Sequence, residues 1–149
     1  MQFKELDRKD IGFLEYIGGE LMDLGDGYAQ LAFEIQPHHT QHLGVVHGGA
    51  IATLADHCGW YAVISQLEKG FTSVTIELKI NYLKPAVGSH LVAEAKVVNR
   101  TKRTAFVTVE IFAKNTLVAF ATATYSVIDE SKIHPKEKGE IDVNQPTNI

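Results

Sequence analysis

From Gly49 to Leu67 the sequence reads as a single helix of roughly five turns whose apolar side chains point in nearly every direction. Ile51, Leu54, Ala55, Cys58, Tyr61 and Ala62 share one face, but Trp60, Val63, Ile64 and Leu67 spread well beyond it. A helix apolar almost all round cannot rest on a surface, so other elements must enclose it. Lys69-Gly70 closes it.

What encloses it is β-structure. Ahead of the helix, strands are expected over 19–24 and 28–36, split by the turn signal Gly25-Asp26-Gly27. In the second, Ala29, Leu31, Phe33 and Ile35 alternate with Tyr28, Gln30, Ala32 and Glu34, a period of two with one buried face. Pro37 ends that strand, and a polar loop from His38 to Gly44 leads to the helix. Four more strands are expected over 72–83, 90–99, 104–114 and 116–128. The first of these alternates Val74, Ile76, Leu78 and Ile80 against Thr75, Glu77, Lys79 and Asn81. A short helix from Asp7 to Tyr16, capped by Asp7 or Asp10, would present Ile11, Leu14 and Ile17 on one face before Gly18-Gly19 breaks it. Strands grouped around one long helix, without regular alternation, give an α+β fold with an antiparallel sheet of about six strands wrapped around that helix.

At 149 residues the chain suits one domain, placed at 1–130, with a polar and mobile tail expected over 131–149. The formal net charge of −4 supplies no basic field for nucleic acid, so any polyanionic ligand needs a local patch such as Arg100, Lys102 and Arg103. Cys58 is the only cysteine and cannot form an internal disulfide. The charged start lacks the apolar core of a signal peptide, and no run approaches the ~18 apolar residues of a membrane span. A cytoplasmic protein is the expectation.

Asp56 does not belong in such a helix. A carboxylate in an apolar helix is costly unless paired, hydrogen-bonded or protonated. It is therefore either satisfied structurally or kept for chemistry. A second clue stands at the helix start, where His47-Gly48-Gly49 lets a ligand approach bare N–H groups at the positive end of the helix dipole. Such a site can hold the oxyanion of a carbonyl under attack. Gly48 and Asp56 lie about 12 Å apart along one helix axis, too far for one carbonyl. Two antiparallel copies across a two-fold axis could bring the Asp56 of one to the Gly48 of the other.

The stretch Gln41-His-Leu-Gly-Val-Val-His-Gly-Gly-Ala-Ile-Ala-Thr-Leu-Ala-Asp56 resembles the HGG-x4-L-x-D signature of hotdog-fold thioesterases of the phenylacetate-pathway (PaaI) type. Thr75-Ile-Glu-Leu-Lys-Ile-Asn81-Tyr-Leu-Lys-Pro85 is similar to the strand that follows the helix in that family. The resemblance implies an acyl-CoA thioesterase without cofactor or metal, forming dimers joined edge to edge and commonly tetramers. It places Asp56 on the catalytic carboxylate, as base or nucleophile, and Gly48 on the oxyanion donor. Gln41 falls where the family often has Asn, and Thr75 on a hydroxyl facing the carboxylate. His47 shapes the loop and hydrogen-bonds the thioester region. Gly49, Asn81, Arg100, Lys102 and Arg103 are assigned to substrate binding, the three basic residues toward CoA phosphates.

Other chemistries fit less well. His38 and His42 have a metal-binding spacing, but on a loop rather than a helix, with no cysteine pair or second carboxylate nearby. His57 points about 100° away from Asp56, which argues against a dyad between neighbours. Cys58 lacks an activating neighbour and reads as core. Trp60, Tyr61 and Phe106 suit either an acyl pocket or core packing. A non-catalytic acyl-CoA or acyl-carrier binding module on the same fold is the main alternative, and it would not need Asp56. A hotdog dehydratase would more typically pair a catalytic His with Asp or Glu.

Overall fold

A computed structural model describes residues 12–133. Asp7, Asp10, Ile11 and the tail from 134 lie outside the described residues. The elements are α1 (Gly12–Tyr16), β1 (Glu20–Gly25), β2 (Tyr28–Glu34), α2 (Gly48–Ile64), β3 (Phe71–Tyr82), β4 (His90–Arg100), β5 (Thr104–Ala113) and β6 (Thr116–Asp129). Short 3-10 turns at Pro37–His39 and Glu130–Lys132 complete them.

The six strands form one antiparallel sheet in the order β1-β2-β4-β5-β6-β3. α2 carries the chain from β2, near one edge, to β3 at the other, and packs against the inner face of the sheet. That face is unusually rich in alanine: Ala93, Ala95, Ala105, Ala119, Ala121 and Ala123 are all buried. Small strand residues let the helix settle close, and the bulk that fills the space comes largely from Ile51, Leu54, Tyr61 and Ile64 on α2. Full burial of a side chain such as Leu54 is worth about 1.5–3 kcal/mol, so this stripe anchors the helix. Cys58 belongs to it. Its thiol lies 3.3 Å from the Ala93 carbonyl, and burial pushes its pKa up to about 12, so it stays protonated and inert.

α2 begins one residue earlier and ends sooner than its apolar run suggests. His47 is the N-cap: its Nδ1 accepts from the Gly49 N–H at 2.8 Å, and its carbonyl accepts from Ala50 and Ile51. At the other end Ser65 caps the helix, and its hydroxyl accepts from the Gly27 N–H, tying the helix end to the β1–β2 turn. Gly27 needs φ +71° there, a conformation glycine adopts without strain.

The loop before α2 is pinned by His39. Its buried ring accepts from the Gln36 N–H at Nδ1 and donates from Nε2 to the Ile17 carbonyl, while its own carbonyl accepts from the His47 N–H. With both ring nitrogens engaged, His39 acts as a staple between α1, the loop and the cap of α2. Burial lowers its pKa and favours the neutral form that these bonds require.

The alternation expected through β3 breaks at a bulge. Thr75 pairs with Tyr125, but Glu77 pairs with Thr124, so Ile76 is an extra residue. The bulge inverts the strand. Before it Ser73 and Thr75 face the helix; after it Leu78, Ile80 and Tyr82 do. Val74 and Ile76, expected to be buried, are 49% and 61% exposed. Among the described residues, no helix is long and apolar enough to cross a membrane.

Candidate active site

Asp56 sits two positions before Cys58, which turns it about 160° away from the buried stripe of α2. It is therefore half-buried on the open face of the helix, not enclosed as its apolar neighbours suggest. Its carboxylate is nonetheless held. Thr75 Oγ1 donates to Asp56 Oδ1 at 2.7 Å, a contact made possible by the bulge that turns Thr75 inward. Tyr125, opposite Thr75 on β6, directs its hydroxyl to the Asp56 main-chain oxygen at 2.8 Å and to Oδ1 at 3.3 Å. Oδ2 has no donor among the described residues.

Room for that tyrosine comes from Gly59. A Cβ at position 59 would collide with the Tyr125 hydroxyl. Glycine inside a helix costs about 1 kcal/mol relative to alanine, and this close approach is the compensation. Burial first, then the nearby carboxylate, raises the Tyr125 pKa well above the ordinary tyrosine value, so the phenol remains a donor.

The helix start is the second half of the site. Of the first N–H groups of α2, Gly49 is bonded to the His47 ring, and Ala50 and Ile51 to the His47 carbonyl. Only Gly48, in that turn, has an N–H without an acceptor among the described residues. This separates the two glycines: Gly48 can donate to a ligand, whereas Gly49 serves the cap. Tyr82 closes over this point, its hydroxyl donating to the Gly48 carbonyl at 2.8 Å.

The remaining candidates are dispersed. Gln41 turns its side-chain oxygen back to the Leu43 N–H, which leaves its amide nitrogen for any ligand. Asn81 pairs with Phe120 on the outward side of β3, away from Asp56. Arg100, Lys102 and Arg103 are exposed at the β4–β5 turn. The register sets Thr75, Tyr125, Ala105 and Arg100 in one row across four strands, so Arg100 lies about 14 Å from Thr75. Of the aromatic residues, Tyr61 is core, Trp60 donates to the Ser73 carbonyl at 3.0 Å, and Phe106 faces outward beside Thr124. His57 packs edge-on against Phe13; burial lowers its pKa against the opposing pull of Asp56, and its Nε2 has no partner among the described residues.

Tyr125, Tyr82 and Gly59 escape a reading of the sequence alone. The lone mid-helix glycine three residues after Asp56 was the available signal, since it marks a close approach.

Residues 43–120 match a family model described as the thioesterase superfamily. Mouse acyl-coenzyme A thioesterase 13 is 33% identical over 56% of this chain and 59% of its own. The solved phenylacetic acid degradation protein PaaI of Thermus thermophilus is 30% identical with a TM-score of 0.70, covering 77% of this chain and 97% of that one. A Bacillus halodurans protein solved with CoA is 34% identical with a TM-score of 0.65, covering 66% of each chain.

Proposed function

The chain belongs to the thioesterase superfamily, with the hotdog fold of its PaaI-type members, and on that premise we propose that it hydrolyses acyl-CoA to free acid and CoA. The observation that carries this reading is the Asp56 carboxylate, fixed at Oδ1 by Thr75 and with no donor at Oδ2 among the described residues. A binding module would have no use for a carboxylate presented in this way.

Asp56 acts on the thioester either by taking a proton from the attacking water or by attacking the carbonyl itself. As the carbonyl becomes tetrahedral, its oxygen gathers negative charge that the Gly48 N–H and the helix dipole stabilise. The C–S bond then breaks. A thiolate of pKa about 8.5 leaves without a strong acid to assist it.

Two copies are needed, because Gly48 and Asp56 stand about 12 Å apart on one helix. The surface that would join them is β3, an edge strand with Val74 and Ile76 exposed. Antiparallel pairing of β3 with β3 of a second copy about an axis at Lys79 sets Leu78 opposite Ile80, and the extra residue of the Ile76 bulge then brings Thr75 opposite Tyr82 of the other. Thr75 touches Asp56 and Tyr82 touches Gly48, so this register brings the two halves of the site together. A homodimer, or a tetramer of two dimers, is the working assembly.

CoA is the proposed thiol carrier, in keeping with its presence in the similar Bacillus protein. Its phosphates would meet the exposed basic turn. Turnover of a panel of acyl-CoA esters, followed with a thiol reagent, tests the function; failure on every acyl chain would overturn it. Replacing Arg100, Lys102 and Arg103 together by Ala is expected to raise KM for acyl-CoA about tenfold, while short thioesters without the nucleotide are spared. Equal effects on both substrates would remove the turn from the site.

A further inference from the structure

We propose that Tyr125, admitted by the bare Cα of Gly59, is a positioning residue that fixes Asp56 with a single carboxylate oxygen facing the substrate. This rests on the thioesterase reading of the Asp56 site.

Tyr125 and Thr75 are paired across β6 and β3, so their side chains reach the helix from the same sheet face. The phenol has one proton to give. At 2.8 Å from the Asp56 main-chain oxygen and 3.3 Å from Oδ1, that proton is shared, with the backbone acceptor taking the larger part. Both the peptide unit and the carboxylate of Asp56 are thereby tied to the sheet. Oδ1 faces two hydroxyls, and Oδ2 is left as the reacting oxygen.

The arrangement depends on the helix as much as on the strand. Any side chain larger than hydrogen at position 59 would occupy the space of the Tyr125 hydroxyl. Burial keeps that hydroxyl protonated, so Tyr125 donates at every working pH and is not itself the base.

Tyr125→Phe removes the donor and keeps the ring. The expected result is a folded protein of unchanged oligomer mass, with KM for acyl-CoA within about twofold and kcat reduced about tenfold. A purely structural tyrosine would instead lower the melting temperature and leave kcat of the folded protein unchanged. Gly59→Ala reaches the same hydroxyl from the helix side and should reproduce the fall in kcat at unchanged KM; it decides the matter if Tyr125→Phe does not fold. Asp56→Asn is assayed beside them. If Asp56→Asn is inactive while Tyr125→Phe and Gly59→Ala keep wild-type kcat, the positioning role is overturned and the thioesterase reading stands. A loss confined to KM also overturns it. Absence of turnover by the wild type toward every acyl thioester overturns both.

Discussion

Replacing Asp56 by Asn is expected to lower kcat for acyl-CoA hydrolysis about 10²-fold or more, with the fold, the assembly and acyl-CoA binding retained. Asn keeps the shape of the side chain and can place its oxygen at Oδ1, where it still accepts from Thr75 and Tyr125. Its amide nitrogen takes the position of Oδ2, on the half-open face, and so creates no buried orphan. What the substitution removes is the ability to take a proton or to attack a carbonyl. A carboxylate kept only to brace β3 and β6 would give the opposite pattern, with a lower melting temperature and activity intact in whatever remains folded. Melting temperature, oligomer mass and turnover on this one variant separate the two.

Gly48→Pro should be comparably damaging, with kcat reduced about 10²-fold, from the loss of one backbone hydrogen. The position is suited to the test. Gly48 is the first residue of α2, where proline is accepted and the missing N–H breaks no helical bond. His47 is already extended, at φ −63° and ψ 136°, as a residue before proline must be. A Cβ at position 48 would stand 3.1 Å from the Tyr82 ring, so that ring must give by a few tenths of an ångström in any substitution. Gly48→Ala controls for this displacement, since it adds the Cβ and keeps the donor. A large fall with Pro and a small one with Ala isolates the N–H. Similar rates for the two variants would deny it a part in catalysis.

Much of this was legible in the sequence because periodicity reports burial. The strand alternations and the all-round apolar helix gave the element order and the α+β class. The signature leading to Asp56 gave the family and drew attention to that residue. Reading burial from neighbours failed for Asp56 itself, because composition averages over the helix circumference whereas the open face depends on where the sheet stops. The β3 bulge was invisible for a related reason. Val74, Ile76, Leu78 and Ile80 keep a strict period of two in the sequence, yet the pairing with β6 slips by one at Ile76 and inverts half the strand. That slip turns Thr75 toward Asp56. Tyr125 lies in the strand expected over 116–128, but no pattern along the chain ties it to Asp56, since their bond joins positions far apart in sequence. Asn81, placed with the substrate by family resemblance, faces outward within one chain.

The claim on which the rest depends is that each site draws Asp56 from one chain and Gly48 from another. It is tested by mixing two inactive proteins. In a heterodimer of Asp56→Asn and Gly48→Pro chains, a shared architecture puts both lesions in one site and leaves the other whole. An equimolar mixture, co-expressed or unfolded and reassembled, should therefore regain about a quarter of wild-type turnover, because half of the dimers formed at random are mixed and each mixed dimer has one of two sites intact. Native mass spectrometry establishes that the mixed dimers have formed. Mixed dimers that are present and no more active than their parents would contradict the shared site.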